Sequence, residues 1–501
     1  YLRNLAVITL PSAFSTNQMS NRVWISCENL RIEERGKIDV IGRGYKSPQG
    51  PGRGRGDWHG AGGGYGGRGG GSSSYPNGGG YEYGNASAPE EPGSGGGGGA
   101  AANCYGGGAV KIQATGLVTV NGSILANGSN SMAYGYGGGS GGGIYIQCGT
   151  FGGATSGVIS VKGGNTDPTY SGGGGGGRIA ISYASIALTC GVRFIASPGN
   201  TWQNLFPYEN TVYGPKEGTL WLPNTELITN RKHAVSFTDI RLVIPAFTSW
   251  SISNLVINGS SFVIEQTNFE LKATNGITIK NGSLGIKGNI QIDNGNLILT
   301  NNSRLFVFSA PTNGIGPDYG ALVSVSGDVK LSQGSWIYPY CDEDTGGAVL
   351  FRVQNLVVDS TSGINADGRG YGRQKGPGKG GNSGHAPGAG YGGRGSCSTD
   401  IRTGGQPYGS VSKPIQPGSG TYGNGSLYGT AGGGCIRIEA SGDVIVNGLL
   451  SANSGKKGDT YRDGGGSGGG VYIKCASFGG TTNGFIRAEG GNGLTGYGGG
   501  G

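Results

Sequence analysis

The sequence predicts an all-β chain of parallel, solenoid-like coils interrupted by long glycine-rich insertions. Three observations carry that prediction. Short runs with apolar residues at alternate positions recur between Thr-Gly and Asn-Gly corners, as in "AVKIQATGLVTVNGSILANG" from Ala109; this is a strand-and-turn pattern, with no sustained helical period anywhere in the chain. Glycine supplies 114 of 501 residues while charged groups supply only 13% and the net charge is +8, too little charge for a disordered polyelectrolyte. The chain also matches itself at long range, as tandem coils do.

The repeat fixes the organisation. Leu30, Ile38, Gly42-Arg43-Gly44-Tyr45 and Pro51-Gly52 fall on Leu356, Ile364, Gly368-Arg369-Gly370-Tyr371 and Pro377-Gly378, an offset of 326. His59 falls on His385, and "GYGGRG" at 64–69 on the same phrase at 390–395. "GGGSGGGIYIQCGTFGG" from Gly137 returns as "GGGSGGGVYIKCASFGG" from Gly464, where the offset is 327. Residues 1–326 are thus a first copy and 327–501 a second, truncated one. The second breaks off in a glycine run that in the first leads into "RIAISY" at Arg178–Tyr183, so the 501 residues read as a window on a longer array.

Within the first copy, 42–102 is a glycine-rich insertion, 106–183 a set of strand coils and 200–326 a second solenoid stretch. In the second copy, 368–434 is the insertion and 435–501 the coils. The 200–326 stretch is cleanest between Asn254 and Ser309, where strand-sized pieces with Asn, Gly or Ser at each corner succeed one another. An antiparallel sandwich has similar spacing. Three-strand coils with Asn-Gly corners, and a duplication that extends a stack without needing closure, favour the solenoid.

A flexible linker is the plain reading of the insertions. His59/His385 and Tyr65/Tyr391 keep their places between copies, which a spacer has no need to do. Glycine-rich chain can also pack as side-by-side polyproline-II strands, because missing side chains let backbones approach. Order over at least half of 42–102 is therefore expected.

The phrases "GGGSGGGIYIQC…FGG…GVISVKGGN" and "GGVYIKC…FGG…GFIRAEGGNG", with "GGGGGGRIAI" after the first, resemble those of large glycine-rich surface and secreted proteins of plants, algae and protists. The likeness covers 109–183 and 435–501 with the "GGRG" stretches, while 200–326 departs from it. It implies an extracellular or cell-wall structural role and carries over no catalytic residues.

Eight cysteines without a C-x-x-C, beside only three histidines, suit an oxidising compartment better than a zinc site. Each copy has one cysteine near the start of its "KIQA/RIEA" strand and another ending "IYIQC/VYIKC". If adjacent coils bring these together, the bridges are Cys104–Cys148 and Cys435–Cys475; the alternative is free buried thiols. Partners for Cys27, Cys190, Cys341 and Cys397 are not indicated.

N-glycosylation sequons stand at Asn85, Asn121, Asn127, Asn258, Asn281, Asn301 and Asn424. Several sit in N-G-S corners, where asparagine is wanted for left-handed backbone or for stacking along a turn ladder. Asn85 and Asn424, inside the insertions, are the better glycan acceptors.

Other chemistries find little footing. Arg55-Gly56-Asp57 spells an integrin-type tripeptide, but Gly381 stands where Arg55 does in the second copy. Arg-Gly pairs and a pI near 8.9 raise an RNA-binding reading; the arginines are sparse and bracketed by strands, so stacking on tyrosine or donation to loop carbonyls is expected instead. A polysaccharide-active β-helix enzyme would need paired carboxylates. Asp342-Glu343-Asp344 and Glu90-Glu91 show no partner acid on a strand at usable spacing. No apolar run of 18 residues occurs, so no membrane-spanning helix is expected.

The function expected is structural, not enzymatic: an extracellular filament or cell-surface coat, glycosylated and assembled with itself, binding neither metal, cofactor nor nucleic acid. A glycan-binding adhesin is the runner-up.

Overall fold

A computed structural model describes the chain except residues 4, 17, 57, 76, 99–102, 132–134, 168, 201–213, 231, 313–316, 382–386, 398–403, 423–428, 456–463, 493–498 and 501. The described chain is all-β. Strand pairings between described residues run parallel, and one helical turn, Glu226–Thr229, is present. Six short strands form one sheet, and the pairings of the rest close on themselves as a barrel. Among the described residues no helix is long and apolar enough to cross a membrane.

Packing divides the chain into two compact units. One is Tyr1–Pro207 with Thr211–Phe247 and Ser260–Val263; the other is Tyr208–Asn210 with Thr248–Gly259 and Ile264–Gly501. The division does not fall at the repeat boundary. Strands after residue 264 pair onward into the second copy, as Trp336–Tyr340 does with Gly363–Asn365.

In the first unit, alternation decides which side chains turn inward. The sheet of six runs Val7–Ile8, Lys37–Asp39, Ser123–Leu125, Val158–Ser160, Arg193–Ile195, Ser236–Thr238. Its central positions stack in register, Ile38 on Ile124, Ile159, Phe194 and Phe237, all buried. Beside it Ala109–Ala114 pairs with Gly143–Gly153, and that strand with Arg178–Cys190, so Ile112, Ile146 and Ile181 form a second buried column.

The second unit repeats the device. Leu284, Leu305, Ile337, Ile364, Leu450 and Ile486 face one another across six successive strands. The first five are essentially inaccessible and Ile486 is 46% exposed. Burying each is worth about 1.5–3 kcal/mol.

Asparagine turns the corners. Asn29 Oδ1 accepts the Leu117 N–H and Asn355 Oδ1 the Asp443 N–H, both at 2.7 Å. Asn121 and Asn447 do the same for Ala154 and Thr481, and Asn127 and Asn453 for Lys162 and Glu489. In each case a side chain from one strand layer satisfies a backbone donor of a layer that follows it in sequence. Asn281 and Asn301 serve differently, with left-handed φ of 49° and 55°, a conformation asparagine tolerates.

Candidate functional site

The feature that sets this molecule apart is the glycine-rich layer. Its segments form no strands, yet their backbones bond to one another. In the first unit Gly63 N–H donates to Gly138 O, Gly138 to Gly172, and Gly175 to Gly63, each at 2.9 Å. In the second, Gly390 donates to Gly378, Gly405 to Gly388, and Gly395 to Gly405, at 2.8–3.0 Å.

Space explains the composition. A Cβ added at Gly62 would lie 1.8 Å from Gly173 O, and one at Gly404 1.8 Å from Gly395 O. Neither residue has a left-handed φ, so closeness of approach demands glycine here. Side chains would push the backbones out of hydrogen-bonding range.

Serine and tyrosine lock the glycine-rich segments to one another, and they do so twice. Ser94 N–H donates to Ser140 Oγ and Ser419 N–H to Ser467 Oγ, both at 2.8 Å. Ser94 Oγ accepts from Gly52 N–H and donates to Tyr83 Oη, both at 2.9 Å; Ser419 does the same with Gly378 and Tyr408 at the same distances. Tyr83 Oη–H donates to Pro92 O at 2.5 Å and Tyr408 Oη–H to Pro417 O at 2.6 Å. The Tyr65 and Tyr83 rings lie 4.7 Å apart, and Tyr391 and Tyr408 4.8 Å. Burial pushes the Tyr83 and Tyr408 phenols well up, so both remain neutral donors. Ser140 and Ser467 are the serines inside the repeated "GGGSGGG" phrase; the one polar residue kept in a glycine run was the signal, and sequence reasoning did not single it out.

The arginines behave as expected. Arg55 stacks over Tyr75 at 5.4 Å and Arg68 over Tyr81 at 5.2 Å, while Arg68 also donates to Asn77 O. Arg369 lies 4.9 Å from both the Tyr338 and Tyr340 rings and donates to Asp367 O. His59 stacks on Tyr170 at 4.6 Å. Its counterpart His385 lies outside the described residues.

The cysteines are placed otherwise than the repeat suggests. No cysteine is bridged to another in the structure. Cys435 sits opposite Gly470, whereas Cys475 follows Lys474, the partner of Glu439. Parallel register thus leaves them about 16 Å apart along the strand direction, beyond the 7 Å or so a bridge allows. Cys104 and Cys148 likewise flank opposite ends of the ladder in which Ala109 pairs with Gly143 and Gln113 with Gln147. Burial raises these two thiols to about 11 and about 12. What the structure brings together instead is Cys341 and Cys435, in one buried cluster with Ala348.

Asn85 is exposed, and its Oδ1 accepts from both the backbone N–H and the hydroxyl of Ser87, at 2.9 Å. Asn424 lies outside the described residues. The acidic runs are held within the chain: Asp342 Oδ1 accepts from the backbone N–H and hydroxyl of Thr345, both at 2.7 Å. Glu90 bonds Arg22 and Lys111, both at 2.7 Å.

One open groove of about 570 Å³ lies in the second unit. Its floor is a polar row in register, Gln291, Ser324, Arg352, Glu439 and Lys474. Burial works against ionisation of Glu439, but hydrogen bonds from Arg352 and Arg437, each at 3.0 Å, prevail and hold its carboxyl below the usual value. The groove therefore offers a fixed ladder of donors and acceptors rather than a titrating acid.

No protein-family model, curated protein or solved structure matches the chain.

Proposed function

We propose that the chain is a structural protein of the cell exterior, a tandem array of parallel β-coils that builds a filament or surface coat. The observation that carries this is the duplicated lock: the same Ser–Ser–Tyr–Pro hydrogen bonds, at nearly the same distances, fasten the segments of a glycine-rich layer together in both units. A device repeated with its unit serves the array, whereas a catalytic centre has no need to recur with it. Side-chain columns in register across parallel strands fit a solenoid, in which each coil offers the next the same backbone row it receives. Further repeats of the same chain, or a second copy, are the natural partner of such a row. The glycine-rich phrases, and their likeness to secreted glycine-rich proteins, support the exterior location, with Asn85 as a glycan acceptor. Electron microscopy of native material tests the reading: fibrous particles with an axial period set by the 326-residue unit are expected, and monodisperse globular particles would defeat it.

A glycan-binding adhesin is the second reading, favoured by the polar row in the groove. Specific micromolar binding on a glycan array, lost in Arg352→Ala, would favour it over the structural role.

A further inference from the structure

We propose that Cys341 and Cys435 form a disulfide that staples the base of the second glycine-rich stretch. The two residues come from distant parts of the sequence, one just after the strand Trp336–Tyr340 and the other opening the strand Cys435–Ala440. Both are buried, at 6% and 0% exposure, in a cluster whose third member is Ala348. With Ala348 as the only other member of that cluster, the two thiols share one small apolar site, the placement a bridge requires.

The first copy supplies an independent argument. Ala109 stands where Cys435 does, and Phe14-Ser15-Thr16 spans the place of Cys341. The two cysteines are present together in one copy and absent together from the other, as members of a bond are. The segment between them contains the whole of 368–434, so the bond would clamp both ends of that insertion.

The chemistry is thiol–disulfide exchange with a low-molecular-weight disulfide. One cysteine thiolate attacks the co-reactant, releasing one small thiol. The second thiolate then attacks the mixed disulfide and releases another. Two protein thiols are thereby oxidised, one S–S bond forms between them, and the co-reactant disulfide is reduced to two thiols. Burial pushes the Cys341 thiol up to about 12 and raises Cys435 well above its ordinary value, and exchange needs the thiolate. The step therefore belongs to folding, before the pair is buried.

The test is peptide mapping without reduction of the full chain secreted through an oxidising compartment, with free thiols alkylated on unfolding. A Cys341–Cys435 linkage is expected, with Cys104, Cys148 and Cys475 recovered alkylated. Recovery of Cys341 and Cys435 alkylated, or linked elsewhere, would overturn the proposal. Thermal melting gives a second reading in Cys435→Ala, whose alanine has the precedent of Ala109. Reducing the wild type should lower its midpoint by roughly 5 °C or more and leave the variant's unchanged. Equal responses would also overturn it.

Discussion

The two glycine-rich stretches share a lock but differ in their anchors. "PEEPGSG" at 89–95 corresponds to "PIQPGSG" at 414–420, and the serine, tyrosine and proline contacts superimpose bond for bond. In the first stretch Glu90 reaches out to Arg22 and Lys111. In the second, Ile415 stands in its place, and Arg437, the counterpart of Lys111, turns to Asp318 at 2.8 Å and Glu439 at 3.0 Å. Two buried cysteines meet there as well. What is common is therefore the uncharged hydrogen-bonded layer. Charge and sulfur are local additions around it.

Crowding the layer should break both stretches alike. Gly79→Ala would set a Cβ 1.9 Å from Gly69 O, and Gly404→Ala one 1.8 Å from Gly395 O. Each is expected to cost about 3 kcal/mol or more, because the obstacle is backbone on a packed face. Gly381→Ala, with nothing within 4 Å, should stay within about 0.5 kcal/mol. Denaturant melts of the three variants would decide, and equal stabilities would mean the layer is not close-packed.

Removing the serine hydroxyl is the next test. Ser94→Ala and Ser419→Ala each strip one Gly N–H of its acceptor inside a buried site, at about 1–3 kcal/mol apiece. Similar losses would confirm that the two locks are equivalent; a cost in one alone would show that its surroundings had taken over.

The smallest effect separates the stretches. Hydrogen bonds from Lys111 and Arg22 hold the Glu90 carboxyl below its ordinary value, against burial. A depressed carboxylate stabilises fully above its unfolded pKa and loses that contribution as pH falls through the folded one. Below about pH 4 the Gly93 amide, bonded to Gly107 O at 2.8 Å, should therefore lose protection relative to its intrinsic exchange rate. Its counterpart Gly418, bonded to Gly433 O at 2.7 Å, has Ile415 in the place of Glu90, and the carboxylates of that anchor, Asp318 and Glu439, sit on Arg437 instead. Glu90→Gln should abolish the acid response at Gly93 while costing under about 1 kcal/mol, since the pair is partly exposed. An acid response at Gly93 that survives Glu90→Gln would refute the assignment.

Much of the fold could be read in advance because alternation and offset are local or arithmetic signals. Ile38, Ile124 and Ile159 announce an inward face, and Leu30/Leu356 announces the repeat. The cysteine pairing could not be read that way. Cys435 and Cys475 look matched only if the ends of a strand meet, and parallel stacking puts like end beside like end. Cys341 has no counterpart in the first copy, so the offset that exposed the repeat hid Cys435's actual neighbour. The locking serines were visible in "GGGSGGG", but their partners Ser94 and Ser419 lie across an insertion whose path is set by backbone contacts that leave no trace beyond glycine itself.

Those backbone contacts have a thermal consequence. Exposing apolar carbon raises heat capacity by about 0.45 cal/K/mol per Å², while exposing peptide groups lowers it by about 0.26. The isoleucine and leucine columns thus lose grip on cooling, as hydrophobic cores do. A layer that buries peptide against peptide contributes with the opposite sign. The glycine stretches flatten the stability curve of the coils they cover, holding the molecule together in the cold where its own core is weakest.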